Sequence, residues 1–201
     1  MRVTVIDYKA GNLTSVLKTL RHLGAETIVT DSDLSLLESA ERIVLPGVGH
    51  FAATERLDAT GLTGAIRSAI ARGVPFLGIC VGMQWLYAGS TEAPEQPGLG
   101  HFPESCTRFA ESAEKVPHVG WNSLEVRRGS RLLAGIVPGE FVYFTHSYKG
   151  PVTNDTAAIT QYIEPFAAAV EGGNVMGVQF HPEKSGETGL KILRNFLEME
   201  R

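Results

Sequence analysis

An apolar run, Val74-Pro75-Phe76-Leu77, leads straight into Gly78-Ile79-Cys80-Val81-Gly82-Met83-Gln84. Met83, Leu86 and Tyr87 then follow at i, i+3 and i+4, the spacing of one helical face. The pattern predicts a buried strand, a sharp turn at Cys80 and a helix beyond it. Gly-x-Cys-x-Gly is the cysteine form of the nucleophile elbow, in which two glycines permit a strained turn that exposes the central side chain. A helix starting there aims its unsatisfied N–H groups and positive dipole end at the sulfur, which favours thiolate over thiol. A free cysteine is also commonly a small buried hydrophobe, and the spacing alone supports both readings equally.

The surrounding chain indicates the kind of sheet that holds this strand. Residues 2–7 and 27–30 read as strands, and residues 42–45 as a third that runs into the loop Pro46-Gly47-Val48-Gly49. Between the first two, Asn12 is placed to cap a helix with Leu13, Val16, Leu17 and Leu20 on one face, ended by Gly24. Residues 34–40 suggest a short helix. Leu62, Ile66, Ala69 and Ile70 mark another, stopped by Gly73 and Pro75. Strands this apolar, alternating with helices, predict a parallel sheet covered on both faces. After a loop-like stretch at 91–100, short alternating strands are expected at 121–126, 140–144, 157–162 and 166–170. A turn at Gly172-Gly173-Asn174 joins the last of these to 175–180. Ser185 and Glu187 open a final helix whose Leu190, Leu193, Phe196 and Leu197 face the core. The expectation is one α/β domain, doubly wound and mostly parallel, with an added mixed or antiparallel segment.

Several functions are disfavoured by what the chain lacks. A net charge of −4 gives no footprint for nucleic acid or an anionic membrane. No apolar run approaches the roughly 18 residues that span a bilayer, and the opening MRVTVIDY reads as a strand rather than a signal peptide. Cys80 and Cys106 form neither a disulfide framework nor a metal spacing, so a reducing cytoplasmic setting is expected. No phosphate loop or Gly-x-Gly-x-x-Gly follows a strand, and no histidine pair has metal-ligand spacing. Neither a cofactor nor a metal is expected. His22 is assigned to a solvated helix face, and His50 and His101 to structural roles.

Open α/β sheets bind ligands at the carboxyl ends of their strands. Three unusual stretches converge there: the 46–49 loop, the Cys80 elbow and His181-Pro182-Glu183. Proline biases His181 toward extended geometry, and residues two apart in an extended segment share a side. Glu183 can then hold one ring nitrogen of His181 and leave the other to face Cys80, as in a nucleophile, base and orienter. The alternative is a capped turn before the last helix. The Pro46-Gly47-Val48-Gly49 loop, together with the Val81 N–H, can supply backbone donors to an oxyanion, although most Pro-Gly pairs are ordinary tight turns.

These motifs together resemble the class I glutamine amidotransferases, whose triad is Cys-His-Glu. Asp7-Tyr8-x-Ala10-Gly11-Asn12-Leu13, Pro117-His118-Val119-Gly120-Trp121-Asn122, Tyr143-Phe144-x-His146-Ser147-Tyr148 and Gln179-Phe180-His181-Pro182-Glu183-Lys184-Ser185 extend the likeness over nearly the full length. They are similar to one subfamily, the glutaminase subunits of imidazole glycerol phosphate synthases in histidine biosynthesis. The resemblance implies a three-layer, flavodoxin-like α/β fold and a single glutaminase domain over residues 1–201. It implies that Cys80 attacks L-glutamine, that His181 moves the proton, that Glu183 orients it and that a thioester forms. Gln84, Glu92, His146 and Ser147 would bind glutamine, and Val48, Gly49 and Val81 would line the oxyanion site. In the family the oxyanion loop is thought to rearrange, leaving the lone subunit poorly active. The partner implied is a TIM-barrel cyclase subunit in a heterodimer, which receives the ammonia and makes imidazole glycerol phosphate and an aminoimidazole carboxamide ribonucleotide. Asn12, Trp121, Asn122, Tyr143 and Lys184 would face it. For Trp121 and Tyr143 the alternative is core packing.

His101-Phe102-Pro103 departs from the family's usual aliphatic pair, and Ser15 stands at a position that can be polar and partner-facing. Neither touches the triad. Two other readings remain: an amidotransferase subunit for another acceptor, as in pyridoxal phosphate synthesis, and a non-catalytic regulatory subunit of the same fold. Residues 117–122 speak against the first, and the intact triad against the second.

Overall fold

The computed structural model describes residues 1–10, 13–127 and 129–200. Its first half alternates strand and helix, as the apolar pattern requires. β1 (Arg2–Ile6) is followed by α1 (Leu13–His22), β2 (Glu26–Thr30), α2 (Ser35–Glu38) and β3 (Ile43–Gly47). A 3-10 turn over Phe51–Thr54 leads into α3 (Glu55–Ala59) and α4 (Leu62–Ala71), then β4 (Phe76–Cys80), the one-turn helix α5 (Val81–Gln84) and β5 (Tyr87–Ser90). The second half is rich in strands: β6 (Phe102–Arg108), β7 (His118–Ser123), β8 (Glu125–Val126), β9 (Phe141–His146), β10 (Tyr148–Lys149), β11 (Thr156–Gln161), β12 (Pro165–Gly172) and β13 (Val175–Val178). A 3-10 turn over Pro182–Lys184 precedes α6 (Gly186–Glu198).

The main sheet has the order β2-β1-β3-β4-β13-β12-β11-β8. From β2 to β13 the strands pair in parallel, and from β13 to β8 they pair antiparallel. The parallel part has the flavodoxin-like order, with β13 arriving from late in the chain as the fifth strand. β3, β4 and β13 are buried at every residue, as strands covered on both faces are. α2 and α3 pack on α4, whereas α1 and α6 both meet the Pro182–Lys184 turn. These two helix groups and the sheet make the three layers.

Each longer helix is held by one apolar stripe. α1 buries Val16 and Leu20, α4 buries Leu62, Ile66 and Ala69, and α6 buries Ile192, Leu193, Phe196 and Leu197. Burying one such large side chain contributes about 1.5–3 kcal/mol.

β7 and β9 form a separate two-stranded antiparallel ribbon, with His118 opposite His146 and Trp121 opposite Tyr143. Strand alternation divides its side chains. Val119, Trp121 and Phe141 are more than half exposed on the outer face, while His118, Val142, Phe144 and His146 are buried on the inner one.

Three local expectations need correction. β3 extends through Pro46 and Gly47, which pair with Ile79 and Cys80, so the loop shrinks to residues 48 and 49. The helix after Cys80 lasts one turn, and Tyr87 belongs to β5, which pairs with β6. Ser185 stands at the start of α6 but makes no side-chain cap; its Oγ donates to the His181 carbonyl at 2.6 Å and accepts from the Tyr143 N–H at 3.0 Å. The cap assigned to Asn12, and its place in the partner-facing set, lie outside the described residues.

Candidate active site

Cys80 ends β4 with φ 55° and ψ −110°. Side chains other than glycine's avoid this region, at a cost of about 1–3 kcal/mol. The strain therefore sits on the cysteine itself. The flanking glycines supply space: a methyl on Gly78 would lie 2.4 Å from the Gly82 carbonyl oxygen, and one on Gly82 would lie 1.9 Å from that of Leu45. Only side chains this small let the turn fold back on β3 and β4. Because α5 is one turn long, the dipole invoked for it is weak, but Val81 as its first residue has an N–H with no intrahelical acceptor.

His181 follows β13 in extended geometry, with its N–H donating to the Tyr143 carbonyl at 2.9 Å. Its Nδ1 lies 2.8 Å from Glu183 Oε1, and both side chains are 1 % exposed. Residues 182–184 form a 3-10 turn rather than a continuing strand, yet Glu183 still reaches the ring. His181 Nε2 is buried and has no hydrogen-bond partner. Burial works against the imidazolium, but the Cys80 sulfur and the Glu183 carboxylate outweigh it and lift the pKa of His181 to about 9. This favours the imidazolium form of His181.

Cys80 opens onto a cavity of about 240 Å³ that is also lined by Val48, Gly49, Val81, Gln84, Glu92, His146 and Ser147. The volume is below the roughly 300–1,000 Å³ of sites for drug-sized ligands and suits a single amino acid. All the expected oxyanion and glutamine-contacting residues thus line one cavity with Cys80. Gly49 has φ +95°, which glycine adopts without strain. Glu92 Oε2 accepts from the Phe51 N–H at 2.8 Å, so the carboxylate is braced at the cavity edge by the turn after β3.

The sequence reading missed Gln179. It is fully buried, and its Nε2 donates to Cys80 Sγ at 3.7 Å. Its Oε1 accepts from Gln84 Nε2 at 3.2 Å, and the same Gln84 nitrogen donates to the Tyr148 carbonyl at 3.0 Å. The signal was its place two residues before His181, directly after β13. Tyr8, also unforeseen, buries an unpartnered hydroxyl near Cys80, and burial pushes its pKa up.

The residues expected to face a partner divide. Trp121 is 54 % exposed, which excludes core packing. Its ring meets Tyr143 edge-on at 6.1 Å, and Lys184 Nζ lies 5.8 Å from the Tyr143 ring centre. Asn122 instead turns its amide inward, donating to the Gln161 carbonyl at 3.0 Å. His50 caps the turn after β3 through Ala52 N–H, and His101 bonds the Gly172 carbonyl, both structural uses. Among the described residues no three His, Cys, Asp or Glu side chains cluster as a metal site, and no helix is long and apolar enough to cross a membrane.

Residues 4–199 match the family described as Glutamine amidotransferase class-I. The chain is 45% identical to the imidazole glycerol phosphate synthase subunit HisH of Deinococcus radiodurans, over 96% of this chain and 92% of that protein. It is also 45% identical to the protein of the same name from Methanothermobacter thermautotrophicus, over 99% of both. Among solved structures, a protein described as a glutamine amidotransferase superposes with a TM-score of 0.76 at 21% identity, covering 98% of this chain and 97% of the other. PurLQS from Thermotoga maritima superposes with a TM-score of 0.74 at 22% identity, covering 98% and 97%. At these identities the structural likeness concerns the fold.

Proposed function

The chain belongs to the class I glutamine amidotransferases, and from that membership we propose how its site works and which partner it serves. It is the glutaminase subunit of an imidazole glycerol phosphate synthase. Cys80 Sγ attacks the side-chain carbonyl of L-glutamine. The oxyanion that forms is met by the Val81 N–H and by the backbone at Val48 and Gly49. His181, charged and oriented by Glu183, gives its proton to the departing nitrogen, which leaves as ammonia. The γ-glutamyl thioester remains. Water, deprotonated by His181, adds to it, and collapse breaks the C–S bond, releasing glutamate and freeing the Cys80 sulfur with His181 protonated as at the start. Glu92 faces the substrate ammonium, Gln84 braces the wall, and the backbone at His146 and Ser147 holds the carboxylate end.

The observation that carries this reading is the strained cysteine at the mouth of an amino-acid-sized cavity, with a buried His181–Glu183 pair beside it. The partner proposed is a TIM-barrel cyclase subunit, docked on the outer face of the ribbon at Trp121, Tyr143 and Lys184, and receiving the ammonia directly. The two free thiols, Cys80 and Cys106, are compatible with the proposed cytoplasmic location.

The test is glutamine-dependent and ammonium-dependent product formation by the complex with the cyclase subunit. Cys80→Ala is expected to abolish the first and leave the second intact. Product from glutamine in the Cys80→Ala complex would sink the nucleophile assignment, and full glutaminase activity of the lone chain would sink the partner-gated reading.

A further inference from the structure

The inner face of the β7–β9 ribbon carries a hydrogen-bonded chain that the reaction described above does not use. His146 Nδ1 lies 2.9 Å from the Tyr148 carbonyl. A carbonyl only accepts, so this nitrogen carries the hydrogen. A neutral imidazole has one N–H, which makes His146 Nε2 an acceptor. It lies 3.1 Å from His118 Nδ1, which must therefore donate. His118 Nε2 is then an acceptor, and Asn122 Nδ2 stands 3.4 Å away to supply it. The Asn122 amide is oriented independently, since its Oδ1 accepts from the Ser123 N–H at 2.8 Å and its Nδ2 donates to Gln161. One direction of donation satisfies every member: Asn122 to His118, His118 to His146, His146 to the Tyr148 carbonyl.

The ends of this chain matter. Asn122 follows the exposed Trp121, and the Tyr148 carbonyl sits at the cavity wall, where it also accepts from Gln84. Gln84 continues to Gln179, and Gln179 to Cys80 Sγ. His118 is also held as a ring. It stacks on Tyr162 with centroids 4.0 Å apart and on Phe144 at 4.9 Å, and is 4 % exposed. Burial holds its pKa down to about 4 and that of His146 down to about 3. Both rings are neutral near pH 7, as the tautomer assignment requires.

We propose that His118 is a positioning residue for the glutamine site: stacked on two aromatic rings, it donates to His146 Nε2 and holds that ring where its Nδ1–H ties the Tyr148 carbonyl at the cavity. The effect on glutamine rests on the function proposed above. The effect on His146 does not. Without the donor from His118, His146 Nε2 is left buried with no partner, and the ring loses the bond that aims its Nδ1–H at the Tyr148 carbonyl. Residues 146–148 lose a tie at the end of the cavity assigned to the substrate carboxylate, so binding suffers and the chemical step is spared.

The test uses the full chain with 15N-labelled histidine, and the same variants assembled with the cyclase subunit. His118→Phe keeps a ring in the stack and removes the donor. His118→Asn returns an N–H close to the position of Nδ1. In the wild type, His146 is expected as the Nδ1–H tautomer. In His118→Phe the 15N resonance of His146 Nε2 should shift as it loses its donor, KM for glutamine should rise at least about fivefold, about 1 kcal/mol in binding, and kcat should stay within about twofold. His118→Asn should recover most of both effects. Ammonium-dependent activity of the same complexes should not change. A His118→Phe protein with an unaltered His146 Nε2 resonance or an unaltered KM overturns the proposal. A wild-type spectrum showing Nε2–H at His146 overturns it without any variant. If the wild-type complex hydrolyses no glutamine, the proposed function fails, while the Nε2 resonance still decides whether His118 donates to His146.

Discussion

Replacing Glu183 by Gln probes the electrostatics of the site with almost no change of shape. The carboxylate meets His181 Nδ1 at 2.8 Å, and both side chains are 1 % exposed, so water does not replace what is lost. A hydrogen bond to a charged group in such a place is worth about 1.5–3 kcal/mol. At about 1.4 kcal/mol per factor of ten, that is roughly a 10- to 100-fold loss in the proton affinity of His181. Its pKa of about 9 should fall to about 7–8. In the assembled complex, kcat/KM for glutamine should show an alkaline limb near pH 9 for the wild type, displaced downward by one to two pH units in the variant. The same pKa has a stability consequence. His181 holds its proton more tightly folded than unfolded, where the ordinary value is 6.5. The stability this contributes is complete below about pH 6.5 and is lost as pH rises through about 9. Urea unfolding of the wild type should show that decline, and Glu183→Gln should flatten it. A limb that stays near pH 9 in the variant, or activity lost equally at every pH, would refute the electrostatic reasoning and leave Glu183 a purely geometric brace.

Gly82→Ala should destabilise the protein by at least about 1–3 kcal/mol in denaturant unfolding, because its methyl would lie 1.9 Å from the backbone oxygen of Leu45; unchanged stability would mean that the elbow can move away from β3. Trp121→Ala should leave the lone chain's Tm within about 2 °C, as expected for an exposed side chain, and weaken the cyclase complex by about 2 kcal/mol or more in calorimetric titration. Unchanged affinity would remove Trp121 from the interface.

The sequence made the parallel half of the fold legible because buried strands such as β3, β4 and β13 need unbroken apolar runs, and such runs are visible locally. The triad was legible for a similar reason, since the elbow and His181-Pro182-Glu183 are short local patterns. What escaped depends on contacts between distant residues. Met83, Leu86 and Tyr87 have perfect helical spacing, yet Tyr87 is drawn into β5 by pairing with Phe102, fifteen positions along. Ser185 has the chemistry of a helix cap, but its hydroxyl is claimed by His181 and Tyr143. Asn122 looked like a neighbour of Trp121 on one surface, and strand alternation sends the two to opposite faces. Gln179 opens the motif that contains the base, but nothing local gives it a role; only the approach of β13 to β4 brings it to the sulfur.

The backbone at Cys80 has a consequence for how this protein can be improved. At φ 55° and ψ −110° the position is one where glycine is at ease and cysteine is not, a difference of about 1–3 kcal/mol. Thermal robustness and activity therefore pull the same codon in opposite directions. A library screened for heat resistance alone would drift toward Cys80→Gly and return sturdier proteins with no nucleophile. A thermostable form has to be sought with residue 80 held fixed, or with glutamine turnover as part of the selection.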